Sequence, residues 1–149
     1  KECTCTPNEI TKYIGRISGP LLDRIDIHIE VAPVKYEKLE SDGRAESSED
    51  IKKRVDMARN IQLKRYEGTN VVCNAGLTPS LINKFCKLGD EEKKILQNAF
   101  EKLGLSARAY SRILKVARTI ADLDESENIK VEHLAEAIQY RSLDRKYWK

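Results

Sequence analysis

Arg24, Arg108, the pair Cys3 and Cys5, and the histidines His28 and His133 are the side chains whose type and setting could do chemistry. Arg108 follows Ser106-Ala107, a capping serine at the opening of a helical pattern. Its charge adds to the positive end of the helix dipole, which at an exposed site costs roughly 0.3–1 kcal/mol. That cost makes sense where an anion arrives, because free N–H groups, dipole and guanidinium fork then act together on phosphate oxygens. The plainer alternative is pairing with a nearby carboxylate. Arg24 ends the turn Gly19-Pro20-Leu21-Leu22-Asp23-Arg24, after which Ile25, Ile27, Ile29 and Val31 alternate with Asp26, His28 and Glu30. The alternation predicts a half-buried strand over 25–31. The arginine just before it would be a cation aimed at something, unless it pairs with Asp23 or Asp26 and only orders the turn. Arg16, eight residues earlier, could support the same surface.

Cys3 and Cys5, spaced C-x-C, supply two of the four ligands a tetrahedral zinc site needs, so they make at most half a site. Cys73 and Cys86 read as small buried hydrophobes. His28 and His133 lack a Cys or Ser at motif spacing and read as structural. The sequence has no G-x-x-x-x-G-K-[ST] loop and no apolar strand ending in Asp-Glu to hold Mg²⁺.

Composition narrows the classes. The 149 residues are 40% apolar and 34% charged, enough for a modest core under a heavily solvated surface. A net charge of +3 argues for nucleic acid only if it is clustered. With no signal segment and no apolar stretch near 18 residues, neither secretion nor membrane spanning is expected, and the thiols read as reduced in a cytoplasmic protein. The start at Lys1-Glu2-Cys3, without methionine, reads as a piece of a longer protein.

The elements that must position these residues are mostly helical. Thr6-Pro7-Asn8-Glu9 is a capping box with proline at the first helical position, opening a helix to about Arg16 with Ile10, Tyr13, Ile14 and Ile17 on one face. Residues 32–47, with Pro33 and Glu40-Ser41-Asp42-Gly43, have linker composition. They divide the chain into a first part, 1–40, a linker, 41–47, and a helical part, 48–149. The spacing then predicts helices over 48–66, with Ile51, Val55, Ala58 and Ile61 inward, over 79–87, over 90–103 stopped by Gly104, over 107–123, and over 131–141. In the 107–123 helix, Tyr110, Ile113, Leu114, Ala117, Ile120 and Ala121 form the core stripe, and Arg108, Arg112, Lys115, Thr119 and Asp122 the opposite, polar one. The tail 142–149 is expected to fray unless Tyr147 and Trp148 dock. The fold class is mainly α, a helical bundle preceded by a short helix and strand.

Four blocks, RISGPLLDRID (16–26), ESSEDIKKRV (46–55), LGLSARAYSRILKVARTIADL (103–123) and QYRSLDR (139–145), resemble the C-terminal part of AAA+ ATPases of the magnesium-chelatase-like ComM/YifB family. The resemblance implies that 1–40 is the end of an α/β ATPase core and that 48–149 is its helical lid. It implies that Arg24 is an arginine finger acting in trans on a neighbouring subunit's nucleotide, and that Arg108 is the sensor-2 residue reading the γ-phosphate in its own subunit. The phosphate loop, the metal-holding acids and a further cysteine pair would lie upstream. ATP and Mg²⁺ are then cofactors of the complete protein, with none bound tightly here, and this piece should not hydrolyse ATP alone. Implied partners are the upstream core, neighbouring subunits of a homo-hexameric ring, and branched DNA moved during uptake and recombination. Two other readings compete: a magnesium-chelatase motor subunit, and a non-catalytic helical DNA-binding module using the basic helix 48–66, with Lys52, Lys53, Arg54, Arg59, Lys64 and Arg65 around it.

Overall fold

The computed structural model describes residues 3–33 and 46–141. Expectations for the middle of the linker, Gly43 included, and for the tail with Tyr147 and Trp148 lie outside the described residues. Among the described residues seven α-helices form: α1 (Pro7–Ile14), α2 (Gly19–Leu22), α3 (Ser48–Arg65), α4 (Pro79–Phe85), α5 (Asp90–Leu103), α6 (Ala107–Leu123) and α7 (Val131–Gln139), with a 3-10 turn at Asn74–Gly76. The short α2 occupies what reads in sequence as a plain turn before Asp23.

Local rules account for the helix ends. The Thr6 hydroxyl accepts from the Glu9 N–H while the Glu9 carboxylate accepts from the Thr6 N–H at 2.7 Å, and Pro7 occupies the first turn. That bond to the Thr6 N–H holds the Glu9 carboxyl below its ordinary pKa. Ser47 and Ser106 cap α3 and α6 through the amides of Asp50 and Ala109. Gly104 ends α5 at φ +57°, ψ +40°, a left-handed conformation that an L side chain adopts only with strain.

Helix α6 is the axis of the bundle, packing against α3, α4, α7 and the 3-10 turn, while α5 packs on α7. Ile113, Leu114, Ala117 and Ala121 are buried with Leu96, Ile129, Leu134 and Ala137, the surface whose removal from water drives the fold. Only the second half of α3 joins this core. Ala58 and Gln62 are buried, but Ile51 and Val55 are each 44% exposed. The inward stripe predicted for α3 therefore fails at its start, where Ile51 and Val55 line an open cleft with Ile120, Leu123 and His133 and stay wet instead of packing closely.

The strand expected over 25–31 does not form among the described residues. A strand is stabilised by a ladder and by burial of one face, and neither is supplied by the described residues. Ile25, Ile27, Ile29 and Val31 are 41–84% exposed, and among the described residues the segment's backbone bond to the bundle is His28 N–H to the Tyr140 carbonyl at 2.9 Å.

Candidate functional site

The two arginines singled out in the sequence are both exposed. Arg24 lies directly after α2, and its Nη1 donates to the Pro20 carbonyl at 3.0 Å, closing the turn on itself. The carboxylates expected to compete for it are engaged elsewhere. Asp23 receives Arg141 Nη2 at 3.4 Å, and Asp26 is ion-paired with Arg112. Arg108 sits in the first turn of α6, where Ser106 caps and no acidic residue is present, and among the described residues it has no carboxylate partner. The Arg16 guanidinium lies 5.8 Å from the centre of the Tyr13 ring.

The fold brings the two stretches together through a neighbour of each. Asp26 follows Arg24 by two residues, and Arg112 follows Arg108 by one helical turn on the same face of α6. A second fastening is buried: Arg141, only 1% exposed, donates Nη1 to the Ile25 carbonyl at 2.5 Å as well as reaching Asp23. An apolar cleft of about 450 Å³, lined by Leu88, Leu96, Phe100, Ala107 and Tyr110, opens on the other side of the α6 N-terminus. At 100° per residue, Ala107 and Tyr110 point well away from Arg108 and Arg112.

Asp122, read in sequence as part of the polar stripe, is completely buried and is the hub of α6. Its carboxylate accepts from Arg65 Nη1 at 2.9 Å and Nη2 at 2.5 Å, from Arg118 Nε at 3.1 Å and from Asn74 Nδ2 at 2.8 Å. Asn74 also donates to Thr119 Oγ1 and accepts from Tyr66 OH, while Arg118 donates to the carbonyls of Ser126 and Glu127. Lys115 Nζ holds the Ala75 carbonyl at 2.8 Å. From Arg112 to Asp122 the polar stripe of α6 is thus a seam to the rest of the protein, and Arg108 at its start stays exposed. Burial pushes Arg118 below the ordinary guanidinium value, whereas for Arg65 the bonds to Asp122 outweigh burial and raise it.

Among the described residues the one group of three close enough to share an ion is Asp124, Glu132 and His133. It already holds a cation: Lys130 Nζ lies 3.5 Å from Asp124 and 3.4 Å from Glu132. His133 Nδ1 accepts from the Lys130 N–H at 3.1 Å, leaving Nε2 to donate to Asp124 at 3.2 Å. That bond, with Lys130 behind it, lowers the Asp124 pKa. His133 is therefore a buried cap of α7. Cys3 and Cys5 are exposed and gain no third ligand among the described residues. Of the other two cysteines, Cys86 is buried and Cys73 half-buried beside Arg59.

Residues 45–141 match the family described as magnesium chelatase, subunit ChlI C-terminal. The chain belongs to this family. Residues 1–39 match the magnesium chelatase subunit ChlI family itself. Among curated relatives, the chain is 43% identical over 141 residues to competence protein ComM of Haemophilus influenzae, covering 94% of this chain and 27% of that protein. It is 44% identical over 144 residues to YifB of Escherichia coli, covering 95% and 27%. A Mycobacterium bovis protein, Mb2921c, is 28% identical over 95% of this chain and 28% of its own length. The chain thus corresponds to little more than a quarter of these relatives, and the magnesium-chelatase-like AAA+ lineage read from the four sequence blocks is the lineage the matches give. No described helix is long and apolar enough to cross a membrane.

Proposed function

We propose that this chain is the end of the ATPase core and the lid of a ring-forming AAA+ ATPase, giving Arg24 in trans to a neighbouring subunit's nucleotide and Arg108 in cis to its own. One observation carries the reading. Among the described residues Arg54, Arg65, Arg112, Arg118 and Arg141 each have a carboxylate partner, Arg16 lies over the Tyr13 ring and Arg59 bonds the Cys73 thiol, whereas Arg24 and Arg108 are exposed with no carboxylate, ring or thiol partner. Arg24 spends one nitrogen on the Pro20 carbonyl and Arg108, at a helix N-terminus, keeps its fork for an anion, and both suit phosphate oxygens. Neither a phosphate loop nor metal-holding acids occur here, so ATP and Mg²⁺ would be held by the upstream core, and Mg²⁺ would neutralise charge on the transferring phosphoryl group. Arg24 would stabilise that charge from across the interface, and Arg108 would hold the γ-phosphate against the α6 dipole. In this reading the complete protein is a homo-hexamer acting on DNA in competence and recombination, as the likeness to a competence protein suggests. The basic face of α3 gives a DNA-binding module less support, since Lys53, Arg54 and Arg65 are all ion-paired.

The test is ATP turnover by the full-length protein. Arg24→Ala should lower kcat by about 10³–10⁵, the worth of an arginine finger in well-studied cases. Mixing those subunits with others that have a disabled phosphate loop but an intact Arg24 should restore turnover. Normal hydrolysis by Arg24→Ala alone would remove the finger and the in-trans site together.

A further inference from the structure

We propose that Arg112 and Arg141 are positioning residues that clamp the turn carrying Arg24 onto α6 and α7, so that the helix presenting Arg108 also sets where the Arg24 guanidinium lies. The inference rests on the functional reading above and extends it to residues to which sequence reasoning gave no role. Three fastenings carry it, and all fall between Asp23 and His28. Arg141 is buried and commits Nη1 to the Ile25 carbonyl and Nη2 to Asp23. Arg112, on the same α6 face as Arg108, is ion-paired with Asp26. The His28 N–H donates to Tyr140 at the end of α7.

The chemistry of the clamp differs along its length. A guanidinium is fully charged at any working pH, and burying one is costly unless its fork is satisfied. Arg141 commits both terminal nitrogens, to a main-chain carbonyl and a carboxylate on either side of Arg24, so its burial and the path of the turn are linked. The Arg112 pair is more exposed, its side chains 27% and 53% accessible, and contributes direction more than stability. Among the described residues these contacts, not a sheet, orient the segment. Arg24 then moves with the lid, and phosphate drawn to Arg108 in one subunit repositions the finger that the same subunit offers to its neighbour. Arg24 is thereby coupled to nucleotide occupancy through a contiguous set of side chains.

The experiment uses full-length protein in five forms besides wild type: Arg24→Ala, Arg112→Asp, Asp26→Arg, the double swap of these last two, and Arg141→Lys. Steady-state ATP hydrolysis, nucleotide affinity and melting temperature are measured for each. A displacement of about 1 Å costs on the order of 10²-fold, so Arg112→Asp and Arg141→Lys should lower kcat by about 10–100-fold, with nucleotide affinity unchanged within about twofold. The double swap should recover most of the loss. Mixing either variant with subunits that have a disabled phosphate loop but an intact clamp should restore turnover, because the defect lies in the finger offered and not in the nucleotide site owned. If Arg24→Ala loses turnover while the clamp variants do not, the clamp is wrong and the finger stands. If the clamp variants lose nucleotide affinity and melting temperature together and mixing rescues nothing, the two arginines are structural only. Full turnover by Arg24→Ala overturns the functional reading and the clamp with it.

Discussion

Replacing Asp122 should be among the most damaging single changes in the chain, and the structure says by how much. Both oxygens of this wholly buried carboxylate accept two bonds each: Oδ1 from Arg65 Nη2 and Arg118 Nε, Oδ2 from Arg65 Nη1 and Asn74 Nδ2. Asp122→Ala leaves the Arg118 side chain, 3% exposed, and the Arg65 side chain, 16% exposed, without their counter-ion. Breaking a buried pair in this way costs about 3–5 kcal/mol. At about 3–4 °C per kcal/mol for a chain of this size, the melting temperature should fall by about 9–20 °C. Asp122→Asn should be nearly as damaging despite its identical shape. Whichever way the amide is turned, its NH₂ replaces an oxygen that accepts two donors, so donor faces donor. The comparison is Arg54→Ala, which removes an exposed pair with Glu46 and should cost less than about 1 kcal/mol. Thermal and urea unfolding followed by far-ultraviolet circular dichroism decide the matter. An Asp122→Asn protein melting within about 2 °C of wild type would refute the claim that charge at this hub braces α6.

The remaining predictions concern single groups. Gly104→Ala has open space around the added methyl, so its cost is the left-handed backbone alone, about 1–2 kcal/mol, read as a lower urea midpoint at unchanged m-value. Cys73 is brought below the ordinary thiol pKa because Arg59 and the N–H groups of Gly76 and Ala75 outweigh its burial, whereas burial pushes Cys86 up to about 11. Alkylation at pH 7.5, read by peptide mass spectrometry, should therefore favour Cys73 over Cys86 by about 100-fold or more. The same shift carries a pH dependence of stability. The unfolded Cys86 thiol ionises near 9.0 and the folded one near 11, so stability is complete below pH 9 and falls by about 2–3 kcal/mol towards pH 11. Urea midpoints at pH 7 and pH 10.5 should lose part of their difference in Cys86→Ala.

What the sequence made legible is what local rules decide. The capping box at Thr6, the serine cap at 106, the stop at Gly104 and the apolar stripe of the 107–123 helix all depend on residues within one or two turns of each other, and they appear as expected except that Tyr110, read as core, is 41% exposed. The failures share a physical cause, since each depends on a partner far along the chain. Burial of Ile51 and Val55 would need a neighbour at the start of α3, and a strand at 25–31 would need a ladder. Asp122 reads in sequence as part of the stripe opposite the core, yet it is wholly buried and its partners include Arg65, 57 residues away. The pair Arg118 and Asp122, opposite charges four apart beside Leu114 and Ala121, was the one local sign of a buried hub.

The same reasoning bears on the arginines that matter most. An arginine's type and position do not say whether its fork is spent inside the molecule; only the long-range partners do. Arg112 and Arg141 are spent, on Asp26 and on Asp23 with the Ile25 carbonyl, across 86, 118 and 116 residues. By taking both carboxylates that flank Arg24, they leave Arg24 with only the Pro20 carbonyl among the described residues. The arginines that hold the turn in place are thus also the ones that keep its guanidinium from being neutralised at home, and a charge kept in that state is the charge a phosphate on another subunit could use.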